Sequence, residues 1–255
     1  MTNPNFLYDD IGSYPLPKGV TKPWIKEAFS NVELHKAKLY ELLQDALRQK
    51  LNAGVEVPTY PQFQNMITQF SEPIMNEDRT EAPLLIKEEE GVITALELAS
   101  DYAFRMGIDT QIHLHSPIFY ETVCQVKGLE VIGVESAAQP SLLALIDKEQ
   151  LDDYDKFLRI GVGRTDILSM AAEYDELHHT NAFKDKGVLN AVVTEYNSPE
   201  KITKRLEKAY SIFGDRIRYV RPDCGLGPFP SQELAYMVLK NTAEGIRDFY
   251  NDSEL

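Results

Sequence analysis

Apolar residues along this chain follow two rhythms. In residues 31–52, Leu34, Leu39, Leu42, Leu43, Ala46 and Leu47 recur three and four apart among polar neighbours, which predicts an amphipathic helix closed by Gly54. Residues 88–106 predict another, opened by Glu88, Glu89 and Glu90 at the positive end of the helix dipole and ended by Gly107. Elsewhere the apolar runs are short and rich in β-branched residues. They predict strands at 6–11, 55–57, 109–115, 130–135, 157–162, 188–194 and 217–221. Helical spacing returns at 118–127, 140–150, 199–213 and 231–249. A short helix is expected at 62–70, a polar loop at 71–82 and a brief apolar run at Leu84-Leu85-Ile86, while 164–187 has no dominant period.

Strand and helix alternate from residue 109 onward, the pattern of a parallel sheet with crossover helices. About eight strands favour a closed sheet, so the expected fold is α/β, a single TIM-type (β/α)8 barrel over residues 1–255. Active sites of such barrels lie at the C-terminal ends of the strands. No repeat of fixed period interrupts this single-domain expectation.

Composition narrows the function classes. Forty acidic against 26 basic residues give a net charge of -14, which repels nucleic acid and anionic membrane. No apolar run approaches the ~18 residues of a membrane span. The start, Met-Thr-Asn-Pro-Asn, lacks the pattern of a signal peptide, and two cysteines make no disulfide scaffold, so a reducing cytoplasm is the expected location.

Three strand ends carry metal-ligand chemistry. His113 and His115 are two apart on one strand, so their side chains share a face; they suit either a metal pair or one hydrogen-bonded core histidine beside an exposed one. Glu135 ends the run Val131-Ile132-Gly133-Val134, where a carboxylate is either paired, metal-bound or turned out to solvent. Cys224 sits in Pro222-Asp223-Cys224-Gly225-Leu226-Gly227-Pro228, a constrained loop. Cys124, on an apolar helix face, reads as an inert buried thiol, and His178-His179 as a solvated surface pair. Asp166, after Gly161-Val162-Gly163-Arg164-Thr165, is a candidate substrate contact; the glycine pair completes no phosphate or dinucleotide fingerprint.

These segments resemble a known family. Asp109-Thr110-Gln111-Ile112-His113-Leu114-His115 looks like the D-T-Q-I-H-T-H-M-C segment of cobalamin-independent methionine synthase, where the second His and the Cys bind zinc. The strand ending at Glu135 resembles the next strand of that family, whose Glu is a further ligand. Arg221-Pro222-Asp223-Cys224-Gly225-Leu226 is similar to N-P-D-C-G-L, whose Cys completes the site. Ile11-Gly12-Ser13-Tyr14-Pro15 looks like I-G-S-F-P, which implies that Ile11, Gly12 and Ser13 hold an amino-acid substrate. Ile160-Gly161-Val162-Gly163-Arg164-Thr165-Asp166-Ile167 resembles I-G-P-G-V-Y-D-I. Only the family's catalytic half is matched, as in its short core forms, which implies a methylcorrinoid or its carrier protein as methyl donor.

The departures lie at the site itself. If His115 matches the zinc His, Pro117 stands where the family has its first zinc Cys and His113 supplies the missing ligand. If the short-form H-x-C motif aligns instead, His115 itself replaces that Cys. Both alignments imply one ligand set: His113, His115, Glu135 and Cys224. The acids that hold the substrate amino group in the family have no match at Tyr60-Pro61 or at Glu81-Ala82-Pro83. The stretch between Phe70 and Glu81 is shortened, around the third and fourth strands, and 168–187 reads as an insertion.

The resemblance thus implies a zinc-dependent methyltransferase that moves a methyl group to a thiol such as homocysteine. Asp166 and Asp223 are the expected catalytic carboxylates, and Asp223 and Asp109 are candidates to orient ligands. Two alternatives stand beside it: a divergent barrel acting on another thiol or serving as a partner protein, and a metal-dependent hydrolase.

Overall fold

The computed structural model describes residues 4–59, 62–63, 89–115 and 117–253. Strands that are apolar on both faces must be covered on both, and this requirement shapes the molecule. β5 (Val131–Val134) is buried at every position and β6 (Phe157–Gly163) at all but its first. They pair in parallel, with β4 (Gln111–Leu114) on one side and β7 (Ile217–Pro222) then β1 (Leu7–Tyr8) on the other. Past β1, a parallel bridge joins Asp9 to Val57. A separate parallel pair joins β2 (Ser13–Tyr14) to β3 (Gln62–Phe63). The fold is therefore mixed α/β around a five-stranded parallel sheet, and the described strands form an open arc.

Helices cover the arc. α1 (Lys22–Ser30) begins at Thr21, whose side chain accepts from the Trp24 N–H, and buries Ile25 and Ala28. α2 (Val32–Asn52) buries Leu39, Leu42, Leu43 and Ala46, the spacing read from the sequence. Gly54 then turns the chain at φ +102, where a Cβ would stand 2.7 Å from the Cβ of Ala243. α3 (Glu89–Arg105) precedes β4, and the short α4 (Tyr120–Cys124) and α5 (Lys148–Asp153) follow β4 and β5. Cys124 is buried as expected, and that burial pushes its thiol up to about 11. Three helices separate β6 from β7: α6 (Ile167–His178), α7 (Lys186–Tyr196) and α8 (Pro199–Phe213). α9 (Gln232–Ser253) packs on α8, with Leu206, Ala209, Phe213, Val238 and Leu239 fully buried.

Several expectations change. The strand expected at 188–194 is helix α7: Asp185 accepts from the Gly187 and Val188 N–H groups, and Leu189, Val192 and Val193 are buried at helical spacing. A cap and a 3.6-residue period override the β preference of the valines. The stretch without a dominant period holds α6, which buries Ile167, Met170 and Ala171. The helix expected at 140–150 is a 3-10 turn at Pro140–Leu145, followed by α5 with its own cap at Asp147. Pro117–Phe119 is likewise a 3-10 turn leading into the shorter α4. Helix α1 was not anticipated. Gln62–Phe63 is strand rather than helix; the rest of the 62–70 helix, the 71–82 loop, Leu84-Leu85-Ile86, Tyr60-Pro61 and Glu81-Ala82-Pro83 lie outside the described residues.

Just past the C-terminal end of β1 lies a buried ion pair. Lys50 Nζ lies 2.5 Å from Asp10 Oδ2, with side chains 0% and 2% exposed, and it also donates to the Thr59 carbonyl at 3.0 Å. Removing one partner of such a pair strands the other charge in a low dielectric. Lys50→Ala is expected to lower unfolding stability by about 3–5 kcal/mol, read as a drop in the urea midpoint; a change below ~1 kcal/mol would refute the burial argument.

Candidate metal centre

β4 ends at Leu114, so His113 lies near its C-terminal end and His115 just beyond it. The two-residue spacing sets both rings on one face, with centroids 4.7 Å apart. His113 pairs in register with Gly133 on β5, so Glu135, two residues further along, emerges beside them. Cys224 follows the end of β7 by two residues. His113, His115, Glu135 and Cys224 each offer a donor atom, and these atoms lie within 4.8 Å of one another. A tetrahedral zinc with bonds of ~2.0–2.3 Å holds its donors ~3.3–3.8 Å apart, so modest side-chain adjustment would bring this set to bonding range. Imidazole, carboxylate and thiol together suit zinc better than the hard, oxygen-seeking cations.

Electrostatics at the cluster favour an ionised Glu135, a neutral His113 and a protonated Cys224. Glu135 Oε1 lies 2.7 Å from His115 Nδ1 and 3.3 Å from His113 Nε2. Burial works to raise the Glu135 carboxyl, but the two histidine contacts together outweigh it and hold it below its ordinary value. Burial pulls His113 down, and the neighbouring Arg221 adds to this. Burial also raises the Cys224 thiol, aided by the Glu135 charge beside it.

The supporting contacts are built on Asp223 and Ser13. Asp223 is 2% exposed, and its carboxylate accepts from the N–H groups of Ser136, Ala137 and Ala138 at 2.8, 2.8 and 2.9 Å. It therefore fixes the segment that follows Glu135. Its approach needs a glycine on β6, because a Cβ on Gly161 would lie 2.1 Å from Asp223 Oδ1. The Cys224 N–H donates to Thr165 Oγ1 at 3.1 Å. Leu226 and Gly227 N–H donate to the Ser13 carbonyl and hydroxyl, each at 2.9 Å. Gly225 and Gly227 admit that hydroxyl: a Cβ on either would stand 2.3 or 2.6 Å from it.

Of the residues singled out from sequence, Ser13 thus lies under the Cys224 loop, with Gly12 buried and Ile11 half-buried beside it. Asp166 is placed differently from a free substrate contact. Both its oxygens pair with Arg164, at 2.9 and 2.6 Å, and the same guanidinium holds Glu173. Asp109 does not orient a ligand: it precedes β4 at the strand's opposite end, where it pairs with Arg218 and Tyr219. His178 and His179 are exposed, as expected.

One residue at the site escaped the sequence reading. Arg221 is fully buried, and its Nη2 donates to His113 Nδ1 at 2.7 Å. Nη1 donates to the backbone carbonyls of Pro222 and Asp223. Gly133 makes the space, since a Cβ there would lie 3.3 Å from Arg221 Nη2. The available signal was the second arginine of β7, fully buried near the strand's end where Arg218 is not, and in register with Gly161.

No family model matches the chain, and no curated protein matches it in sequence. Among solved structures it is similar to a B12-independent methionine synthase from Shewanella sp. W3-18-1 in complex with selenomethionine, at 10% identity and a TM-score of 0.39, over 98% of this chain and 99% of that chain. At that identity and score the likeness assigns neither fold nor chemistry.

Gly161→Ala tests the support. The added methyl would press on the Asp223 carboxylate and, at 2.9 Å, on its Cα. A loss of about 1–3 kcal/mol is expected from overpacking, measured by denaturant unfolding, and unchanged stability would show that Asp223 is not wedged as described.

Proposed function

We propose that this chain is a zinc-dependent methyltransferase acting on a thiol. The observation that carries the proposal is the convergence of His113, His115, Glu135 and Cys224 at the C-terminal ends of β4, β5 and β7. The parallel strand order and the Asp9–Val57 bridge past β1 support a barrel wall, the architecture in which such strand ends carry the active site. Zinc bound there would lower the pKa of an acceptor sulfur and hold it as thiolate at neutral pH.

The chain's own residues set up that chemistry. Cys224 and Glu135 supply two anionic donors once the thiol loses its proton. Asp223 holds the backbone after Glu135, and Thr165 and Ser13 hold the loop that carries Cys224. Neither Asp166 nor Asp223 is free to act as a base: the first is paired with Arg164 and the second with three N–H groups. With the acceptor activated as its thiolate, no strong base is required. The motif likeness supports a methylcorrinoid, or a protein carrying one, as donor and homocysteine as the first acceptor to try.

The deciding measurement is metal content of the purified chain. About one zinc per chain is expected, falling severalfold in Cys224→Ser, whose hydroxyl is a poor ligand. A wild type without zinc affinity would end this reading. With zinc present, methylcobalamin plus homocysteine should yield methionine; silence there alone would move the acceptor to another thiol.

A further inference from the structure

The two histidines of the cluster differ in what stands behind them. A neutral imidazole ligates through a bare nitrogen while its other nitrogen carries the proton and donates it to a carboxylate, carbonyl or water. Behind His115 nothing opposes that arrangement: the side chain is 73% exposed, so water can serve whichever nitrogen does not face Glu135. Behind His113 stands a guanidinium. Arg221 has donors and no acceptor, and it keeps its proton at any physiological pH. Its Nη2 lies 2.7 Å from His113 Nδ1, so Nδ1 must be the bare nitrogen. The proton then resides on Nε2, which lies 3.3 Å from Glu135 Oε1, within ion-pair distance but out of hydrogen-bond alignment. His113 has no lone pair to offer toward the other donors unless it becomes an imidazolate.

Arg221 is also unable to step aside easily. Its guanidinium is held by the Pro222 and Asp223 carbonyls, with no exposed surface. We infer that His113 is a positioning residue and not a metal ligand: Arg221 fixes its Nε2–H tautomer, that N–H stands beside Glu135, and His115, Glu135 and Cys224 form a three-donor centre with its fourth position free. This rests on the metal-site reading above and sharpens it, since three protein donors and an open position are the mark of a catalytic zinc site rather than a structural one.

Two measurements on the full chain test the inference. Long-range nitrogen–proton NMR of the metal-free protein should show His113 protonated on Nε2 and bare on Nδ1, unchanged when zinc is added. X-ray absorption of the zinc-loaded protein should show one imidazole, with the same count in His113→Gln, which keeps an N–H for Glu135, and none in His115→Ala. The affinity of His113→Gln should fall by no more than about 100-fold, the upper end for a lost orienting contact. Two imidazoles in the wild type dropping to one in His113→Gln, or a proton on Nδ1 of His113, would overturn the inference. If the protein bound no zinc, the methyltransferase reading would fall, and the metal-free tautomer would still decide the role of Arg221.

Discussion

The site depends on one buried carboxylate. Asp223 is next in sequence to Cys224, yet its oxygens bind the three N–H groups that follow Glu135. Two candidate donors that are 89 residues apart in the chain, 135 and 224, are thereby held to one another by one buried side chain bonded to backbone. Burial raises the Asp223 carboxyl above its ordinary value, and the three converging N–H donors work against that rise. The β6 strand lies between the strands that carry these residues and must stay thin for the contact to form. Gly161 provides that thinness, and its carbonyl accepts from the Ser136 hydroxyl at 2.7 Å. The glycine is therefore explained by Asp223, not by phosphate binding.

A second constraint lies below the first. The inward face of the sheet holds charge: Arg159 pairs with Asp9 at 2.7 Å and donates to the Asp10 carbonyl, and Arg221 lies near them under His113. Burial is the larger influence on both ends of this network, raising Asp9 to about 6 and lowering Arg221 to about 10. Charged groups are buried on this face of the sheet, so each must be hydrogen-bonded or paired. Gly133 sits where those groups pass the sheet, with both Arg221 and Arg159 within 3.6 Å of a Cβ built there.

Much of this was legible in the sequence, and the failures have physical causes. The strand ends bearing His113, Glu135 and Cys224 could be read because a polar ligand closing an apolar run leaves a local mark. Helix α7 was misread because Val188, Val192 and Val193 have β preference, while the deciding facts were the Asp185 cap and burial against neighbours. Asp166 was overrated because its partner, Arg164, stands two residues away and leaves no period in the pattern. The role of Arg221 depends on His113, 108 residues earlier, and on the gap left by Gly133; no single segment contains all three.

The pairing of Arg221 with His113 also bears on what the site can hold. Cys224 and Glu135 supply two negative charges when deprotonated, which balance a divalent cation. His115 adds none, and His113 adds none in the tautomer that Arg221 imposes. The guanidinium contributes one positive charge beneath this set, and Asp9 and Asp223 are the carboxylates that offset it from its buried side. With zinc bound as proposed, a fourth donor would therefore meet a centre whose nearest shell is neutral, and its preference for a thiolate over a thiol would come from the metal. An aliphatic residue in place of Arg221 would free His113 Nδ1 to take the proton and leave Nε2 to join the donors, so the residue behind the ring decides how many donors the site has.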